Sequence, residues 1–238
     1  MKNLPVVSIV VPAYNEADNI GACLDSLTNQ DYKGETEIVV VNNASTDDTS
    51  EIAKHYNVTL VNETKIGVAR ARSKGFIRAK GSIILSTDAD SIVPRNWVSL
   101  YIMRFKDNGV QAVVGRFTYH DVSDLRQSLA AFFTPLAFRL DNLRGGHFSG
   151  CNFGVISDAY RASGGFNEDL TYGEDFVLTK RLRDKGFKIV TAPEIVVTTS
   201  ARQFTQRPLK VFLNLMWLNL FYRPLLGYDK QSYETREA

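Results

Sequence analysis

The sequence predicts an α/β fold, an α/β/α sandwich in which helices cover both faces of a mostly parallel central sheet. Three observations carry this. The run at 6–11 is almost continuously apolar and β-branched, broken only by Ser8, as suits a strand buried on both faces. Comparable runs then alternate with stretches of helical periodicity as far as Asp90. Finally, the polar clusters Asn15-Glu16, Asn42-Asn43 and Asp88-Ala89-Asp90 fall where strands end, and ligands of doubly wound sheets bind outside those ends.

The elements follow in order. The first strand exits into Pro12-Ala13-Tyr14-Asn15-Glu16, and Ile20, Leu24 and Leu27 recur at the spacing of a first helix. A second strand at 37–41 stops at Asn42-Asn43 and completes one βαβ unit. Ser45-Thr46-Asp47-Asp48 offers N-cap chemistry for a helix through Ile52 and Tyr56. A short strand at 58–61, a basic helix at 68–79 and the apolar run leading to Asp88 come next. From Pro94 the order changes: a helix to about Phe105, a strand at 112–117, then a long amphipathic stretch at 125–143. A glycine-rich segment at 145–150 leads into a strand at 151–156, and Gly164-Gly165-Phe166 makes a turn. Gly173-Glu174-Asp175 opens a helix with Phe176, Leu178 and Leu182 on its apolar side, and strands at 188–190 and 195–199 close the pattern. Residues 1–204 read as one domain and 205–238 as a C-terminal helical extension.

At 238 residues the chain can bury a large core, and 28 basic against 26 acidic side chains give no field that favours nucleic acid as a partner. Cys23 and Cys151 lie far apart without metal or CxxC spacing, the pattern of ordinary thiols in a reducing compartment. The first residues lack a signal peptide's apolar segment and no run reaches about 18 apolar residues. The expected location is cytoplasmic. The stretch at 209–226 carries Met216, Trp217, Phe221 and Tyr222 between basic residues. It fits a helix packed on the domain or on a second copy in a homodimer, or one lying peripherally on the inner face of a membrane.

Two acid pairs are the chemical candidates. In extended backbone Asp88 and Asp90 point to one side and suit a shared hard cation, although both also suit the cap of a following helix. Glu174 and Asp175 sit at a helix start, which stabilises carboxylates in any case; as a functional group, one would serve as general base toward a bound hydroxyl. The glycine-rich segment is either a binding loop or a tight connection. Trp97 and Phe132-Phe133 read as core ahead of a sugar platform.

Taken together the motifs resemble the family 2 inverting glycosyltransferases of the GT-A fold. They are Val-Ser-Ile-Val-Val-Pro-Ala-Tyr-Asn-Glu at 7–16, Val-Val-Asn-Asn-Ala-Ser-Thr-Asp-Asp-Thr at 40–49, Gly67 with Ala-Arg-Ser-Lys-Gly at 71–75, Asp-Ala-Asp at 88–90, Gly-Gly-Phe at 164–166 and Glu-Asp at 174–175. The resemblance implies that Pro12, Ala13, Tyr14 and Glu16 line a nucleoside pocket, with Arg72 in the donor region. It implies that Asp90 ligates Mn²⁺ or Mg²⁺, that Asp88 lies against the ribose or the metal's water shell, and that Asp175 is the base with Glu174 beside it. The implied donor is a nucleotide-diphosphate sugar, UDP-sugar first, and the acceptor is open. Asn42 departs from the family's uracil-contacting Asp, and Ser73 from its usual Asn. His147, Phe148, Asn152 and Arg202 are candidates for acceptor or phosphate contacts.

Rival readings are a sugar nucleotidyltransferase, a dinucleotide oxidoreductase and a non-catalytic nucleotide-sugar or glycan sensor. The first two call for glycine after the first strand, and 12–16 has none. Retention of both Asp90 and Asp175 speaks against the third.

Overall fold

The computed structural model describes residues 4–120, 148–171 and 173–202. The chain divides into two compact units, Met1–Thr118 with His147–Thr199, and Tyr119–Gly146 with Ser200–Ala238. The first carries the sheet. The second falls almost wholly outside the described residues, and with it the expected stretches at 125–143 and 205–238, Phe132-Phe133 included.

Strands β1 (Val7–Ala13), β2 (Thr36–Asn43), β3 (Thr59–Glu63) and β4 (Ile83–Ser86) alternate with helices α1 (Ile20–Thr28), α2 (Thr49–Ala53) and α3 (Val68–Arg78). Then come α4 (Trp97–Phe105), β5 (Val110–Tyr119), β6 (Phe153–Ile156), α5 (Ser157–Ala162), α6 (Glu174–Asp184) and β7 (Lys188–Thr199). The sheet order is β3-β2-β1-β4-β6-β5-β7. β1 pairs in parallel with β2 and β4, and β2 with β3, whereas β6 runs antiparallel to both β4 and β5.

Alternation along β1 feeds two cores, as a strand covered on both faces requires. Val7, Ile9 and Val11 join Ile38, Val40 and Leu85 beneath Leu24 and Leu27 of α1 and Trp97 and Tyr101 of α4. Val10 joins Val39, Val41 and Ile84 beneath Ala71 and Phe76 of α3 and Leu178 and Leu182 of α6. Each fully buried Leu or Ile contributes about 1.5–3 kcal/mol of transfer free energy. Trp97 is core as expected, edge-on to Tyr101 with ring centroids 5.3 Å apart.

Three elements differ from expectation. The two short strands at 188–190 and 195–199 are one strand, β7, which runs straight through Pro193. A proline lacks the N–H a central ladder needs, but β7 ends the sheet and an edge strand tolerates it. Helix α2 stops at Ala53, short of Tyr56, and α5 had no periodic signal in its six residues. Among the described residues no helix is long and apolar enough to cross a membrane.

Candidate active site

The carboxyl ends of β1 and β2 lie side by side, with Ala13 in register with Asn42. A lattice of hydrogen bonds binds their exit loops together. Asn15 takes a left-handed backbone, φ 53°, which lets its Oδ1 accept from the Thr46 N–H at 2.8 Å while its own N–H donates to Ser45 Oγ at 3.0 Å. The Glu16 N–H donates to Thr49 Oγ1, and the Ala17 N–H to Asp47 Oδ2. Asp47 also accepts from the Thr49 N–H, so the acid expected as a helix cap ties two loops together. Ala44, at φ 58°, holds a conformation that costs an alanine about 1 kcal/mol, and the adjoining bonds fix it there. Tyr14 projects from this frame, 45% exposed, while Pro12 and Glu16 are half-buried. Asn42 has its amide engaged at both ends, accepting from the Ser45 N–H and donating to Asn62 Oδ1 at 3.3 Å.

Desolvation pushes the Asp47 carboxyl up, but the bonds from Thr49 and the backbone N–H groups outweigh it and hold its pKa below the usual value. A depressed carboxyl contributes stability that is complete above its unfolded pKa and is lost as pH falls through the folded one. The loop lattice is therefore expected to be intact at neutral pH and to loosen only below about pH 4. Asp47→Ala should loosen it at every pH. Amide exchange at Ala17 and Thr49 checks this: unchanged protection in the variant would show that Asp47 braces neither loop.

Strand β4 delivers the acid pair. Its last residue is Ser86, and the Ser91 N–H closes back on the Asp88 carbonyl at 3.1 Å, so Asp88-Ala89-Asp90 occupies a turn. The extended alternation expected of the two acids is thereby corrected: a turn, not a pleat, presents them. Each is anchored separately. Asp88 Oδ1 accepts from Arg72 Nη2 at 2.6 Å, and Asp90 Oδ1 accepts from Thr199 Oγ1 at 3.1 Å, which itself accepts from Ser91 Oγ. The Cys23 thiol donates to the Asp88 carbonyl, and burial, with Asp90 and Asp88 nearby, pushes its pKa up. Burial and Asp88 likewise push the Cys151 thiol up to about 12. Both cysteines are thus protonated packing groups and not nucleophiles.

Helix α6 delivers the second pair, and it separates the two acids. Gly173, at φ 76°, sets the left-handed entry that a side chain would strain. Glu174 lies four residues before Leu178, on the face turned inward. It is 4% exposed and paired with Arg72 Nη1. Asp175, on the next face, is half-buried. Its Oδ2 accepts from the Gly150 N–H at 3.1 Å and its Oδ1 from the Phe176 N–H at 2.9 Å. Thr179 fixes the same turn, donating to the Asp175 carbonyl and accepting from the Phe148 N–H. Arg72 also feels Asp175 electrostatically. Although burial alone disfavours its charge, Asp88, Glu174 and Asp175 together hold its pKa above normal.

The other expected residues fall as follows. Arg72 is buried among carboxylates, so its charge is spent within the protein. Phe148 and Asn152 are fully buried, the ring of Phe148 stacked on Phe153 at 4.4 Å. Their expected place beside an acceptor is corrected to the core. Asn152 accepts from Trp97 Nε1 and Tyr101 OH and donates to the carbonyls of Arg116 and Ile195. Arg202 is described only at the start of its segment, where its N–H donates to Ser200 Oγ. His147 lies outside the described residues. Thr199 was not anticipated, since it lies at the end of a strand and carries no distinguishing signal; Gly150 belongs to the glycine-rich segment, and its N–H reaches Asp175.

Among the described residues no group of three or more His, Cys, Asp or Glu side chains converges as a complete metal site. Asp88 and Asp90 instead supply two hard oxygen donors at the rim of the sheet. Such a set suits Mg²⁺ or Mn²⁺ when substrate phosphates complete the coordination, and does not suit a dedicated protein cage.

A mostly parallel sheet with acids at its carboxyl rim is the GT-A architecture of glycosyltransferases, and solved structures agree. The mannosyltransferase PcManGT from Pyrobaculum calidifontis, in complex with GDP-Man and Mn²⁺, superposes with a TM-score of 0.68 at 28% identity, covering 84% of this chain and 58% of that one. TarS from S. aureus in complex with UDP-GlcNAc, at 21% identity and a TM-score of 0.66, shares the fold. Residues 8–164 match Glycosyl transferase family 2, and the chain belongs to that family. It is 30% identical over 218 residues to the glycosyltransferase AglE of Haloferax volcanii, 88% of this chain and 71% of AglE. It is also 30% identical over 125 residues to the glycosyltransferase GlyG of Streptococcus pneumoniae, of which it spans 41%.

Proposed function

We propose that the chain transfers a sugar from a nucleoside-diphosphate sugar to an acceptor hydroxyl, in one inverting displacement that depends on a divalent cation. The observation that carries this is the split within the second acid pair: Glu174 is buried and paired with Arg72, while Asp175 is oriented by two backbone N–H groups and stays half-exposed. Asp175 takes the acceptor's proton as the acceptor oxygen bonds to the anomeric carbon. The bond from that carbon to the diphosphate breaks, and the nucleoside diphosphate leaves with the electron pair. Asp90, with Asp88, would hold Mn²⁺ or Mg²⁺, which supplies positive charge against the departing diphosphate. Tyr14, Pro12, Ala13 and Glu16 would receive the nucleoside beside the Asn42 edge.

A thermal-shift panel of UDP-, GDP- and dTDP-sugars, each with and without Mn²⁺, tests donor class and cation together. A UDP-sugar is the donor the family resemblance implies, and GDP-Man is the ligand held by the Pyrobaculum mannosyltransferase. A ligand present at 100 times its Kd stabilises by about 2.7 kcal/mol, a rise of roughly 5–10 °C for a chain of this size. One donor is expected to give that rise with Mn²⁺ and less without it, and Asp90→Asn is expected to erase the cation-dependent part. No shift with any donor, or a full Mn²⁺ response in Asp90→Asn, would overturn the assignment.

A further inference from the structure

Arg72 is 4% exposed, and both its terminal nitrogens are committed: Nη2 to Asp88 at 2.6 Å and Nη1 to Glu174. Its Nε has no hydrogen-bond partner, so the carboxylates alone offset burial of the charge. Packing pins the group as well. A Cβ on Gly150 would lie 2.2 Å from Nη2 and 2.6 Å from Cζ, so the guanidinium fills the space where a side chain at 150 would be. The same Gly150 gives its N–H to Asp175 and accepts from Ser86 Oγ through its carbonyl. One cation thus reaches the turn beyond β4, the segment entering β6 and the first turn of α6.

We propose that Arg72 is a positioning residue: a buried guanidinium that clamps the Asp88 turn to the start of α6, with Glu174 as its anchor, and holds the donor-side acids and the base as one unit. The proposal rests on the transferase reading of this site. Arginine is required because its planar fork spans two carboxylates; the single ammonium of a lysine cannot hold both in place. Glu174 acts only through Arg72, which leaves Asp175 as the group that meets the acceptor.

The test compares Glu174→Gln, Arg72→Lys and the double variant. Hydrogen exchange is read at 86–91 and 173–177, and donor hydrolysis with Mn²⁺ is followed as kcat and KM. Glu174→Gln is expected to deprotect the Asp88 turn as well as its own helix, and to lower kcat at least 30-fold with KM within about 3-fold of the parent. Arg72→Lys should do the same, and the double variant should be no more than about 2-fold worse than the poorer single one. Millimolar guanidinium should restore at least 10-fold of the kcat lost in Arg72→Ala; if that variant does not fold, Arg72→Lys decides. Deprotection in Glu174→Gln confined to α6, or losses that multiply in the double variant, would overturn the clamp. A parent chain that neither binds nucleotide nor hydrolyses any donor would instead overturn the transferase reading, and the exchange arm would still decide the clamp.

Discussion

Asp175→Asn is expected to bind nucleotide and Mn²⁺ with affinities within about 3-fold of the parent chain and to lose transfer by roughly 10²–10⁴-fold, the range set by a positioned general base. The amide keeps the shape of the carboxylate but cannot take a proton from a hydroxyl. Its carbonyl can still accept from either Gly150 or Phe176, so only one of those two bonds is lost, at about 1 kcal/mol of stability. Nucleotide titration and single-turnover transfer on the same preparation separate the effects. Normal turnover in the variant would remove Asp175 from the base role. Loss of nucleotide binding would show that the helix start, and not the proton transfer, had been damaged.

Asn152→Ala is expected to be strongly destabilising. The side chain uses both acceptor positions, on Trp97 Nε1 at 2.9 Å and Tyr101 OH at 2.7 Å, and both amide hydrogens, on the carbonyls of Arg116 at 2.6 Å and Ile195 at 3.0 Å. It thereby joins α4, β5 and β7 to the entrance of β6. Alanine would strand those four partners in a dry interior and leave a void besides, a loss of about 3–5 kcal/mol. For a chain of this length that lowers Tm by on the order of 10 °C. Asn152→Asp should fail as well, because a buried carboxylate cannot donate to two carbonyls. A Tm within about 2 °C of the parent for Asn152→Ala would show that the network adds little.

Much of this was legible in the residues. The apolar runs at 6–11 and 37–41 gave strands because both faces of β1 and β2 are covered, and the acids fell at the rim because a strand rich in Ile and Leu cannot continue through Asp88. Arg72 was harder. Arg70 and Arg72 look alike in a basic helix, yet Arg70 faces Glu168 and Asp169 at the surface while Arg72 is buried. Helical spacing held the clue, since Ala69, Arg72 and Phe76 share one face of α3 and both apolar members are buried. The same reasoning separates Glu174, in line with Leu178 and Leu182, from Asp175. Phe148 and Asn152 were misplaced because a loop before a strand gives no periodicity from which to judge burial. The turn at Asp88-Ala89-Asp90 depends on a backbone closure that side-chain types do not encode.

The reversed direction of β6 decides which of its ends faces the chemistry. Because Phe153 stands opposite Ser86 and Ile156 opposite Ile83, β6 begins at the rim where β4 finishes, and what precedes it is the part that touches the acids. Its far end meets Ser82, through the Ser157 N–H, on the opposite rim. Length changes just ahead of Phe153 are therefore expected to disturb Asp175, whose Oδ2 accepts from the Gly150 N–H.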